Sequence, residues 1–219
     1  VNIRDISRAD IQKLIGSAFY SENETLEKHL SAETYELVKK ELGRLGVPIQ
    51  LVSKHKPWFL ALSLSSLEFL KLGFDPNYGI DKYFLSKAKG KKILELESLD
   101  YQMNIFTNLS EEEQELFLLY TMNDIKVLKQ ELDKLTQAWT SGDEKGIESF
   151  VTRSLAEDKR LSPIYEKFVY KRNRNMASKI EDYLSTKETH FVIIGAGHLV
   201  GDQGIIEMLK GKGFLVEQL

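Results

Sequence analysis

Thr189–Leu219, THFVIIGAGHLVGDQGIIEMLKGKGFLVEQL, is the stretch from which the rest of the chain is read. Four apolar residues in a row, Phe191 to Ile194, predict a buried strand. Gly195 and Gly197 let the backbone turn tightly and leave room beside it. His198 follows just past the strand end. Gly201 to Gly204 open a short helix, Ile205–Lys210, which Gly211 and Gly213 close. Phe214–Val216 predicts a second strand. A strand–turn–helix–strand unit places its site in the crevice at the carboxyl end of the first strand, where His198 stands.

The chain has 219 residues, 42% hydrophobic and 29% charged, the balance of a soluble globular protein with a substantial core. Lys+Arg 30 against Asp+Glu 33 gives a net charge of −3. That leaves no basic field for nucleic acid or an anionic membrane surface. Cysteine is absent, which excludes disulfides, thiolate ligands and a cysteine nucleophile. The most apolar stretch, Pro57–Leu72, contains Glu68 and Lys71. It falls short of the roughly 20 apolar residues of a membrane span, so no transmembrane segment is expected. The chain starts at Val1 rather than Met, and a preceding segment is expected.

Most of the remaining signals are helical. Ile6–Phe19 predicts an amphipathic helix with Ile11, Leu14, Ile15 and Ala18 on one face. Asn23–Leu30 predicts a short turn of helix. Ser31 caps a helix over Ala32–Leu45 that Gly46 and Pro48 end. Pro57 starts Trp58–Leu72, apolar nearly all round and therefore expected to be buried. Tyr78–Lys89 is a further helix. Ile93–Ser98, ILELES, alternates strictly and predicts a strand with Glu95 and Glu97 on one face. Ser110 and Glu113 form a capping box for a long helix reaching Trp139, with a seam of Leu118, Ile125, Leu128, Leu132, Leu135 and Trp139 that asks for a partner helix. Glu144–Leu155 is helical, and Ser162-Pro163 starts a helix to Leu184. Continuing its apolar stripe from Phe168 to Met176 puts Arg172 on the stripe with Asn173 flanking. A guanidinium there requires an acidic or carbonyl partner, or a substrate anion.

Several readings of these residues compete. Gly195-x-Gly197-x-x-x-Gly201 after a strand, with Glu217 at the end of the next, is one residue longer than a dinucleotide fingerprint. The chain also ends two residues later, where a nucleotide-binding sheet continues. His198 suits a metal ligand or general base, or a plain turn residue. His29, His55 and His190 have no metal-ligand spacing to it, so carboxylates are the expected partners. Glu95 and Glu97 are the obvious ones, although two acids on one strand face ordinarily mean a solvated face. Asp81 at a helix start is ordinarily a favourable charge near the dipole.

Taken together, these residues resemble the TraB/GumN family, related to the Tiki proteases. FVIIGAGHLVGDQGIIEMLKGKGFLVE is similar to the family's second G-x-x-H motif, here Gly195-Ala-Gly-His198. KPWFLALSLSSLEFLKLGFDPNYGID resembles the family's middle, including Pro57-Trp58 and Gly79-Ile80-Asp81. ILELESLDYQ resembles its Leu-Glu-Ser…Gln signature, here Leu96-Glu97-Ser98 and Gln102. Arg172-Asn173 with Met176-Ala177 resembles its Arg-Asn helix.

The resemblance implies one domain over residues 1–219. Its expected fold is α/β, a small mixed β-sheet surrounded by many helices, including a long helical hairpin. It implies a metal-dependent hydrolase, peptidase-like, with divalent manganese, cobalt or zinc and a peptide or small-molecule substrate, in an exported or membrane-anchored protein. His198 would be a metal ligand or a general base, Glu97 a second ligand or an orienting acid, and Arg172 would stabilise an anionic substrate group or a developing oxyanion. Gly195, Gly197, Asp81 and Asn173 would shape substrate binding. The first G-x-x-H motif and an early acidic strand would precede Val1, so this chain alone is expected to be weakly active or inactive. The alternatives are a non-catalytic interaction or scaffold domain and, behind it, a dinucleotide-binding βαβ unit.

Overall fold

The computed structural model describes residues 6–219, and the chain divides into two compact units, Val1–Lys129 and Gln130–Leu219. In the first unit, Ser7 caps α1 (Arg8–Ala18). Its hydroxyl accepts from Asp10 N, and Asp10 returns a bond to Ser7 N at 2.8 Å. Only Ala18 of the expected apolar face is buried; Ile11 and Ile15 are about half exposed. Ser31 caps α2 (Ala32–Leu45), which ends at Gly46 in the left-handed conformation. Pro57 occupies the first turn of α3 (Pro57–Lys71). That helix is buried over Trp58, Leu60, Ala61 and Leu64, whereas Leu67, Phe69 and Leu70 face solvent. The short α4 (Ile80–Lys87) follows. α5 (Leu99–Thr107) is capped by Ser98. The Ser110–Glu113 box opens α6 (Glu111–Ser141) with reciprocal bonds of 2.8 and 3.1 Å.

The core of this unit joins Val38 and Leu42 of α2, Leu60 and Leu64 of α3, and Leu118, Met122 and Ile125 of α6, with Leu26 and Val52 from two 3-10 turns. Residues at 3/4 spacing on each helix put one stripe inward, and the three stripes close on one another. The long helix runs on through Leu128, which is buried, but Trp139 at the end of the expected seam is exposed and Ala138 is buried in its place.

In the second unit, Asp143 caps α7 (Glu144–Glu157). α8 (Ser162–Tyr165) passes through a π-turn, Glu166–Tyr170, into α9 (Lys171–Leu184). A π-turn inserts one extra residue into the helix and rotates everything after it. Arg172 therefore loses the stripe position an unbroken period gave it, while Met176 and Ile180 keep theirs. Asn173 takes the core place at 1% exposure, with Met176, Ala177 and Ile180, and Arg172 stands beside it, partly exposed. After a stretch without regular structure comes a 3-10 turn, Ala196–His198, and then α10 (Ile205–Gly211). α10 packs against α9, and α7 packs against the 3-10 turn.

The expected mixed sheet is not there. Among the described residues every regular element is helical, and the only β-pairing is an isolated bridge between Phe19 and His55. Phe191–Ile194 and Phe214–Val216 carry no regular secondary structure, and Phe191 is 73% and Leu215 88% exposed. The segment at 93–98 forms no strand among the described residues, and its last residue, Ser98, caps α5. Apolar runs and alternation describe one strand's side chains; a strand also needs a neighbouring backbone to bond. The fold of the described residues is thus all-α, not α/β. With both flanking strands absent, the dinucleotide-binding βαβ unit is absent too. No helix among the described residues is long and apolar enough to cross a membrane.

Candidate functional site

The site is built on the 3-10 turn that carries His198. His198 N donates to Gly195 O at 2.9 Å and Leu199 N to Ala196 O at 3.0 Å, which closes the turn. Gly197 faces Val151 of α7. A β-carbon on Gly197 would lie 2.8 Å from Val151 Cγ2, so helix packing takes up the room the glycine leaves. One on Gly195 would only touch the His198 ring, at 3.9 Å. Gly204, the residue before α10, is hemmed in by the carbonyl oxygens of Leu199 and Val200, with which any β-carbon would collide. The glycines seat the turn tightly against its surroundings.

Asn173 reaches this turn from the core side of α9. Its Nδ2 donates to the Gln203 carbonyl at 2.6 Å, and its Oδ1 lies 2.7 Å from His198 Nδ1. A carbonyl only accepts, so the amide nitrogen must face Gln203 and the amide oxygen must face the imidazole. His198 Nδ1 is then the protonated nitrogen, and the lone pair of the neutral ring lies on Nε2. Because Asn173 is almost wholly buried, its side chain has little freedom and the ring is held in that tautomer. Arg172 Nη1 donates to the Phe168 carbonyl at 3.1 Å. That carbonyl sits within the π-turn.

Beside Asn173 and Gly197 opens a cavity of about 260 Å³, walled also by Glu148 and Val151 of α7, by Tyr165 and Tyr170, and by the loop through Gly201. Glu148 and the two tyrosines were not among the expected site residues. Nothing local marks them, since their meeting depends on the packing of α7 against the turn.

Two predicted residues, Asp81 and Glu97, belong to the first unit. Asp81 lies in the first turn of α4 and is exposed. Glu97 is not on a solvated face: it is 6% exposed and accepts from Gln102 Nε2 at 3.0 Å, whereas Glu95 is exposed. Of the other histidines, His29 lies between Glu111 and Glu24 at 2.9 and 3.1 Å. His55 packs on Phe19 and Phe59. His190 meets Thr186 Oγ1 at 3.0 Å. Among the described residues no group of three or more His, Cys, Asp or Glu side chains could hold a metal ion. His198 is oriented by buried Asn173, and the described residues around it do not form such a group.

The profile of the TraB/PrgY/gumN family matches residues 1–218. A "Metalloprotease TIKI homolog" of Amphimedon queenslandica is 43% identical over 58 residues, 26% of this chain and 11% of that protein. "Metalloprotease TIKI2" of Danio rerio is 30% identical over 76 residues, 31% of this chain and 15% of that protein. The matched segments thus span only a small part of those relatives' own lengths. No solved structure matches the chain. With nearly every residue inside the family profile, the chain belongs to the TraB/PrgY/gumN family.

Proposed function

We propose that this chain is a hydrolase-type domain of its family, acting on peptide bonds, with His198 as its principal reactive group. The observation that carries the reading is the pairing of buried Asn173 with half-buried His198. An imidazole locked with its proton on Nδ1 presents Nε2 either to take a proton from an attacking water or to bind a cation. Membership in a family with relatives named metalloproteases supports peptides as the substrate class. A divalent ion would supply Lewis acidity and an activated water; the described residues offer it the His198 nitrogen and no complete ligand set. Glu97 keeps the proposed role of orienting acid or ligand, and Arg172 that of oxyanion stabiliser. Gly195, Gly197 and Asp81 keep their proposed part in substrate binding. The family resemblance also favours an exported or membrane-anchored protein.

The test is turnover of a quenched-fluorescent peptide library by the whole protein, with and without added manganese, cobalt or zinc. His198→Ala should lower kcat/KM by about 100-fold or more, the usual range for a lost general base. Equal turnover by wild type and variant would overturn the reading, and equal metal content in the two would remove His198 as a ligand.

A further inference from the structure

The cavity beside Asn173 carries chemistry that peptide-bond hydrolysis as such does not require. Its volume, about 260 Å³, lies just below the roughly 300 Å³ at which pockets for drug-sized ligands begin. It suits a single side chain. Tyr165 and Tyr170 give it an aromatic wall, their ring centroids 6.5 Å apart and inclined at 44°. Tyr165 is anchored by its hydroxyl, which donates to the Val151 carbonyl at 2.8 Å.

Two carboxylates complete the lining, Glu148 from α7 and Asp202 from the loop after His198. Glu148 is half-buried, and its head lies against Gly201. A β-carbon on Gly201 would come 2.5 Å from Glu148 Oε1, and Gly201 has φ +79°. The glycine therefore serves both the loop conformation and the seat of the acid. Neither the Glu148 nor the Asp202 side chain has a hydrogen bond or ion pair with another described residue, and no Lys or Arg is among the described residues of the lining. Burial, reinforced by the charges of Glu148 and Glu166, pushes the Tyr170 phenol up, as a negative potential at this wall requires.

We propose that this cavity receives the cationic side chain, lysine or arginine, of a peptide substrate. The tyrosine faces attract a cation and the two carboxylates pair with it. Val151, Val169 and Val200 cover its methylene stem. Asn173 and Gly197 also line the cavity, so a residue bound there lies next to the His198 turn. The word "substrate" rests on the hydrolase reading; the preference for a cation rests on the cavity alone.

Binding can be read without turnover. The tyrosine ring resonances of the whole protein are followed while Nα-acetyl-arginine amide or its uncharged counterpart, Nα-acetyl-norleucine amide, is added. The arginine probe should shift the Tyr165 and Tyr170 signals saturably, and the norleucine probe should not. Glu148→Gln with Asp202→Asn should weaken the arginine probe by about tenfold or more, the scale of losing hydrogen bonds to a charged group. Asp202→Asn alone, at an exposed position, gives the same direction should the double variant fold poorly. Equal binding of both probes, or arginine binding indifferent to these variants, overturns the proposal. A protein that binds arginine in this way yet cuts no peptide sinks the hydrolase reading and leaves the pocket standing. One that cuts peptides with the same kcat/KM for arginine and norleucine at every position sinks the pocket.

Discussion

Asn173 and His198, 25 residues apart in the chain, meet with Oδ1 2.7 Å from Nδ1, and the Gln203 carbonyl on the other side of the amide fixes which way it faces. One buried side chain thus sets both the orientation and the tautomer of the imidazole.

Removing that constraint should cost activity without removing the imidazole. Asn173→Ala should lower kcat by about 10–100-fold, the usual effect of losing a partner that orients a ligand or base. The nitrogen shifts of His198 should then report a mixture of tautomers. Asn173→Asp keeps an acceptor for Nδ1, and its added charge favours the protonated imidazole. The acid limb of the pH–rate profile should therefore move to higher pH. Unchanged tautomer and unchanged rate in Asn173→Ala would show that the pair only packs.

The contact between Gly197 and Val151 is steric and can be relieved. Gly197→Ala should destabilise by about 1–3 kcal/mol, as overpacking does. Val151→Ala in the same chain should recover most of that, giving a clear coupling term in a double-mutant cycle of urea midpoints. Gly204→Ala should be at least as costly with no such rescue, because its obstacles are backbone carbonyls rather than a side chain. Its φ of −78° is open to any residue, so the cost is wholly steric.

His55 gives the first unit a dependence on acid. Burial among Phe19 and Phe59 lowers its pKa below the ordinary 6.5, against a weaker opposing hydrogen bond to the Val52 backbone. A depressed value means the unfolded chain binds the proton more readily. The stability His55 contributes is therefore present above pH 6.5 and lost as the pH falls through its lower folded value. His55→Phe should flatten the urea midpoint of the first unit between pH 7 and 5 relative to wild type. An identical slope in both would rule His55 out as its source.

Signals contained within a turn or two were legible. Ser31 and Gly46 bound α2, and the Ser110–Glu113 box opens α6, because a cap and the donors it satisfies are neighbours in sequence. The α5 start was equally local, in Ser98 with Asp100 in the first turn. It was hidden by reading the preceding alternation as a strand. The π-turn left no such mark. One inserted residue moved the buried place from Arg172 to Asn173 and turned a predicted flanking amide into the partner of His198.

By itself the sequence determined most of the helices, their caps and the family, since these depend on local backbone chemistry and on motif identity. Only the tertiary structure decided that Phe191–Ile194 forms no strand, that Val151 fills the space beside Gly197, and that Glu148, Tyr165 and Tyr170 share a cavity with Asn173. Strand pairing and cavity walls need partners from distant parts of the chain, and no local pattern says which partner arrives.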